Sequence, residues 1–138
     1  MGDGILVQRV RPTFEQFVSY AFEEAARFYI SRLARKGQLL FLPERIVSWW
    51  DQNSEIDVLA SSDSERALLV GECKWFANLV GIDILQDLRR KTKILQATNS
   101  WKSINYFLFA KSVFTPALKV QACLDENIRL ISVEECLI

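Results

Sequence analysis

The 138-residue sequence predicts an α/β domain, a mixed sheet flanked by helices. Three observations point there. Two long stretches carry apolar residues at helical spacing, and short apolar runs rich in Val, Ile, Phe and Trp lie between and after them. The resulting order is helix, three strands, helix, strand, helix, strand. Three successive strands fold most simply as an antiparallel meander, and the strand-helix-strand units after them call for parallel pairing.

The first helix is expected over 13–35. Phe14, Phe17, Val18, Ala21, Phe22, Ala25, Ala26, Phe28, Tyr29, Ile30 and Leu33 follow Pro12-Thr13. Thr13 and Gln16 read as a capping box, Arg32, Arg35 and Lys36 suit the last turn, and Gly37 suits the stop. Phe41 to Trp50 reads as a strand whose edge or beginning Pro43 marks. Glu55 to Ser61 and Arg66 to Trp75 are two more, joined by the polar turn Ser62-Asp63-Ser64-Glu65. The second helix runs from Ile82 to Ala97, with Ile84, Leu85, Leu88, Ile94 and Leu95 on one side and Asp87, Arg89, Arg90, Lys91 and Lys93 on the other. Asn105 to Lys111 is apolar enough to be a buried strand, Pro116 opens a short helix to Glu126, and Ile128 to Val133 is the last strand.

Composition excludes a good deal. The chain suits a single domain covering 1–138, with no internal repeat or linker. No apolar run reaches the ~18 residues of a membrane span, and Met1-Gly2-Asp3-Gly4 lacks the start of a signal peptide. There is no histidine, so Ser-His-Asp and Cys-His sites are excluded, and so is a His-containing zinc site. Cys73, Cys123 and Cys136 are odd in number and widely spaced, which argues against disulfides and for a reducing, cytoplasmic setting. Seventeen cations balance seventeen acids, so a nucleic-acid footprint would have to be a local patch.

The stretch from Glu55-Ile56-Asp57 to Gly71-Glu72-Cys73-Lys74 carries the chemistry. A hairpin closed by a two-residue turn at Ser64-Glu65 sets Asp57 opposite Glu72 and Glu55 opposite Lys74. Alternation then puts Glu55, Asp57, Glu72 and Lys74 on one face, and Ile56, Val58, Cys73 and Trp75 on the other. Facing carboxylates repel, and a shared proton or a hard cation relieves them. Mg2+ or Mn2+ suits such oxygen donors, and an adjacent lysine can orient a water and offset phosphate charge. The same residues also admit a plain reading, in which Glu55 and Lys74 form a cross-strand salt bridge and the other acids are wetted at a sheet edge. Two details favour chemistry. Glu72-Cys73-Lys74 interrupts an apolar strand, and Gly71 forgoes a side chain just before it, as at a close approach of ligand or backbone.

At these residues the chain resembles the PD-(D/E)XK, or restriction-endonuclease-like, superfamily. Asp57 matches the motif's Asp, and Glu72-Cys73-Lys74 matches Glu-x-Lys fourteen residues on, with Ile56 in place of the usual proline. The resemblance implies an αβββαβ core and phosphodiester hydrolysis of nucleic acid, DNA in the first place. It implies Mg2+ or Mn2+ on Asp57, Glu72 and the backbone carbonyl of Cys73, with Lys74 positioning water. A supporting glutamate on the first helix is best matched by Glu15, with Glu23 and Glu24 as alternatives, and Gln86 with Arg90 fits the supporting glutamine of the later helix. More narrowly, the chain is similar to an uncharacterised C-terminal domain of archaeal-type P-loop ATPases. That likeness runs from about Gly37 to the end and rests on Trp49-Trp50, Glu55-Ile56-Asp57-Val58, Gly71-Glu72-Cys73-Lys74-Trp75, Phe107-Leu108-Phe109 with Lys111 to Thr115, and Leu130-Ile131. It implies an ATPase partner in the same or another chain, although no G-x-x-x-x-G-K-[ST] occurs here. A nuclease-like fold used only for docking is the rival expectation, because a fold does not carry its activity with it.

The basic run Arg89-Arg90-Lys91-Lys93, with Lys102 beyond, reads as a solvated helix face or a phosphate contact. Of Trp49 and Trp50, one is expected in the core and the other free to stack on a base or cap a sheet edge. Cys73, facing away from the acids, reads as a small buried residue rather than a nucleophile.

Overall fold

The computed structural model describes residues 13–137; Pro12 and the Met1 to Gly4 start lie outside them. Helix α1 spans Phe14–Arg35, and its N-terminus is the expected capping box. The Thr13 hydroxyl accepts the Gln16 N–H, and the Gln16 side chain accepts the Thr13 N–H. The helix stops at Lys36, and Gly37 takes a left-handed φ of 67°.

Strands β1 (Arg45–Trp50), β2 (Glu55–Ser62) and β3 (Ala67–Lys74) form the antiparallel meander. Beyond β3 come the short β4 (Leu79–Val80), helix α2 (Ile82–Gln96), β5 (Ser103–Ala110), β6 (Val113–Phe114), α3 (Pro116–Leu124), β7 (Ile128–Ser132) and α4 (Val133–Leu137). The five-stranded sheet has the order β1-β2-β3-β5-β7, with β5 and β7 parallel to β3. The mixed α/β architecture is therefore the one expected. The first strand begins at Arg45 rather than Phe41, since Pro43 has no N–H for a ladder. Two features escape periodicity because they are too short to show a period: the two-residue pair β4·β6 and the final turn α4.

Both faces of the sheet are covered. On one side Phe22, Ala26, Tyr29, Ile30 and Leu33 of α1 pack on Val58, Ala60, Leu69, Phe107, Phe109 and Ile131. On the other, Leu85 and Leu88 of α2 and Leu118 of α3 pack on Ile56, Leu68, Val70 and Leu108. Among the described residues no helix is long and apolar enough to cross a membrane.

The hairpin register is the expected one, since Ser62 pairs with Ala67 and Val58 with Gly71. The Arg66 N–H closes the turn on the Asp63 carbonyl, and Arg66 itself has φ 51°. Gly71 proves to be a packing residue. A Cβ there would lie 3.1 Å from both the Phe109 ring and the Val58 Cβ. The close approach read from the sequence is thus made by the core and not by a ligand. Gly71→Ala is expected to destabilise the fold by about 1–3 kcal/mol through overpacking, measured by urea denaturation.

Candidate active site

The β2–β3 ladder ends at Val58↔Gly71, although both strands run on. From there β2 stays with β1 as far as Glu55↔Trp50, while β3 stays with β5 as far as Lys74↔Ala110. The sheet forks, and Asp57 stands in the fork. Its Oδ2 accepts the Cys73 N–H at 2.8 Å, taking over a β3 donor near the point where the backbone ladder stops.

A β-bulge puts Asp57 there. Val47 pairs with Leu59 and Trp49 with Ile56, so Asp57 and Val58 together oppose the single residue Ser48. The bulge shifts the alternation by one step. Ile56 packs on the α2 side, whereas Val58 and Ala60 pack on the α1 side. The expectation that Ile56 and Val58 share a face is corrected accordingly. So is the single face for Glu55, Asp57, Glu72 and Lys74. Glu72 continues the α2-side row of Leu68 and Val70, while Asp57 and Glu55 meet α1.

Helix α1 contributes two residues one turn apart. The Arg27 guanidinium donates to the Asp57 carbonyl at 2.9 Å and pairs with Glu24 at 3.3 Å, which pins β2 to the helix. Glu23 then faces the fork, and oxygens of Glu23, Glu55 and Asp57 all come within 4.8 Å of one another. Of the three helix glutamates considered, Glu23 is the one in this group. Glu15 sits a step outward, with Glu23, Glu55, Tyr20 and Phe76 around an open cleft of about 380 Å³. Burial, followed by the charges of Asp57 and Glu55, pushes the Glu23 carboxyl up to about 7. Burial also raises Asp57, against the opposing hydrogen bond from Cys73.

Glu72, 5% exposed, lies across the fork. Its two oxygens accept from the Lys91 ammonium of α2 at 3.0 and 3.3 Å, and Asp87 lies 3.5 Å from the same ammonium. Burial and the nearby Asp57 nonetheless raise Glu72 to about 7. Desolvation works against the charged Lys91, but Glu72, Asp87 and Asp57 outweigh it and raise its pKa. Lys74 is half-buried and makes no ion pair among the described residues, so the Glu55–Lys74 bridge of the plain reading is not formed. Gln86 is exposed on α2. Burial raises the Cys73 thiol well above its ordinary range, which removes it as a nucleophile at neutral pH.

The basic helix face is largely spent inside the domain. Arg90 pairs with Asp87 at 2.8 Å, Lys91 holds Glu72, and Arg89 lies over the Tyr106 ring and 3.9 Å from Asp125. Trp49 packs against the α2-side core and Trp50 is 70% exposed.

Sequence reasoning missed Arg27 and Lys91 as site residues and ranked Glu23 second. Glu23 and Arg27 lie four apart on one helix, which was a readable signal. Lys91 gave none, because the spacing that identifies a polar face does not say what stands opposite it.

The mixed five-stranded sheet between two helical layers has a restriction-endonuclease-like fold. The fold is similar to that of a repair endonuclease from Pyrococcus abyssi, with a TM-score of 0.52 over 80% of this chain and 46% of that one at 15% identity. The family model DUF234, "Archaea bacterial proteins of unknown function", matches residues 2–91, and the chain belongs to that family. An uncharacterised protein of Methanocaldococcus jannaschii is 29% identical over 92 residues, 64% of this chain. The matched region makes up only 21% of that relative's length.

Proposed function

We propose that this is a single nuclease-like domain that hydrolyses phosphodiester bonds of nucleic acid, DNA in the first place, with the help of Mg2+ or Mn2+. One observation carries the reading: three carboxylates gathered at the fork, beside a cleft open to solvent. Their oxygens lie within 4.8 Å of one another, close enough for one hard cation to be shared among them. The donors are hard oxygens with no sulfur or imidazole among them, which again suits Mg2+ or Mn2+.

In this reading Asp57 anchors the ion together with Glu23 and Glu55. Glu72, whose two oxygens accept from Lys91 in the metal-free chain, and the Cys73 carbonyl would complete the set from β3. The cation supplies Lewis-acid stabilisation of the charge that builds on phosphate. The chain's own residues do the rest. The Cys73 N–H fixes the Asp57 carboxylate, and Arg27 fixes the backbone that carries it. Lys74, unpaired among the described residues, orients the attacking water and faces the phosphate as a cation. Glu15 and Gln86 lie farther out and would bear on substrate entry rather than on the reacting atoms.

Lys74→Ala tests this. In Mn2+, cleavage of single- and double-stranded DNA and RNA is expected to fall about 10²–10³-fold while calorimetric Mn2+ binding persists. Equal cleavage by variant and wild type removes the catalytic assignment.

A second reading is a docking module for a partner such as a P-loop ATPase domain, in the same chain or another. What favours it is the internal use of Arg89, Arg90 and Lys91, which leaves little basic surface on α2. It predicts no binding of Mg2+ or Mn2+ by calorimetry.

A further inference from the structure

We propose that the acidic fork lies midway along a track for an unpaired nucleic-acid strand, whose bases stack on Trp50 to one side and on Phe76 to the other. This rests on the nuclease reading for where the strand is cut, while binding to the track is measured independently of it.

Three hollows run edge to edge. The first, about 510 Å³, lies between Trp50 and Glu55. The second, about 380 Å³, contains Glu55, Glu23 and Phe76. The third, about 300 Å³, runs from Phe76 to Lys111. Glu55 belongs to the first two and Phe76 to the last two, so the acids line the middle hollow of three neighbours. Trp50 is 70% exposed and Phe76 51%, although both belong to segments whose neighbours Trp49 and Trp75 pack into the two cores. Each site therefore holds one ring inward as an anchor and presents the next one outward.

Stacking decides between a paired and an unpaired strand. A duplex presents phosphates outward and keeps its bases stacked on each other, so its binding needs a row of free cations. Along this path lie Asp51, Glu15, Glu23 and Glu55, and Arg89, Arg90 and Lys91 of α2 are committed to partners within the domain. At the far end the Lys111 ammonium lies 4.8 Å from the Trp75 ring centroid, next to Phe76. Both kinds of strand carry phosphates for which this path offers Lys111; what the exposed rings add is stacking, open only to a strand whose bases are unpaired, because every base offers a π face.

The test is fluorescence anisotropy with labelled (dT)20 and with a 20-base-pair duplex. It is run in Ca2+, a cation of the same oxygen-ligand chemistry. The expected result is at least about tenfold tighter binding of (dT)20, a loss of about tenfold for Trp50→Ala and for Phe76→Ala, and near-full recovery with Trp50→Phe. Duplex binding as tight as that of (dT)20 overturns the track, and so do alanine variants that bind like wild type, as they would if the rings instead cover a protein partner. Wild type that binds (dT)20 but cleaves neither it nor duplex DNA nor RNA in Mn2+ removes the nuclease reading and leaves the track standing. Cleavage of duplex alone does the reverse.

Discussion

Asp57→Asn is expected to abolish Mn2+ binding and lower cleavage by about 10²–10³-fold or more while leaving the metal-free domain as stable as wild type, or more so. The amide oxygen of asparagine can still accept the Cys73 N–H that Asp57 holds at 2.8 Å, so the fork keeps its tie. What disappears is one negative charge from a group whose members already resist ionisation. Glu23 stands at about 7 because of burial and because Asp57 and Glu55 lie beside it. Removing the Asp57 charge eases that repulsion, and a functional site is where stability and activity are expected to part in this way. Thermal denaturation with and without Mn2+ measures both effects. A wild type at one hundred times its Kd gains about 2.7 kcal/mol from the ion, and the variant gains none. A variant that melts far below wild type, beside a wild type indifferent to Mn2+, would make Asp57 a structural cap and nothing more.

The hairpin shows what a sequence can and cannot place. The turn at Ser64-Glu65 and the alternation around it gave the register, and Val58 does face Gly71. Alternation failed at Asp57 itself. A bulge adds no unusual residue; its cause lies in the pairing with β1, where Ser48 faces two residues instead of one. That single step moved Asp57 and Glu55 toward α1 and left Glu72 with α2. The helix glutamate was underdetermined for a similar reason. Glu15 precedes Glu23 by just over two turns, and only the tie from Arg27 to the Asp57 carbonyl fixes which turn of α1 reaches the fork. Long, strongly periodic elements such as α1 and α2 could be read nearly to their ends, because their capping and apolar spacing are local properties.

The fork also explains why acids are tolerated in an apolar strand. Glu72 follows Ala67 to Gly71 and is nearly as buried as they are. It occurs where β3 has lost its β2 partner, and the space so opened admits a lysine from one side and the Asp57 carboxylate from the other. Opening the ladder costs backbone hydrogen bonds, and Asp57 restores one of them through its side chain. The same acid therefore closes the sheet end and joins Glu23 and Glu55, which line the cleft.

Lys91→Met, studied without metal, is expected to cost about 3–5 kcal/mol above pH 8, because it strands the Glu72 carboxylate at 5% exposure with its pairing ammonium removed. The loss should shrink on acidification. In the folded chain Glu72 stands at about 7, above its ordinary 4.5, so the stability linked to its proton is complete below about 4.5 and is lost as pH rises through about 7. Without Lys91 the carboxyl rises further, so the variant sheds stability more steeply over the same range and beyond it. At pH 5.5 both proteins hold Glu72 largely neutral, and the gap should fall to about 1 kcal/mol, the remainder reflecting lost contact with Asp87 and the lysine stem. Adding Glu72→Gln to Lys91→Met removes the stranded charge and should restore most of the loss at pH 8. Urea denaturation in EDTA at pH 5.5, 7 and 8.5 separates the outcomes. A gap that does not change with pH, and that Glu72→Gln fails to close, assigns Lys91 to packing alone.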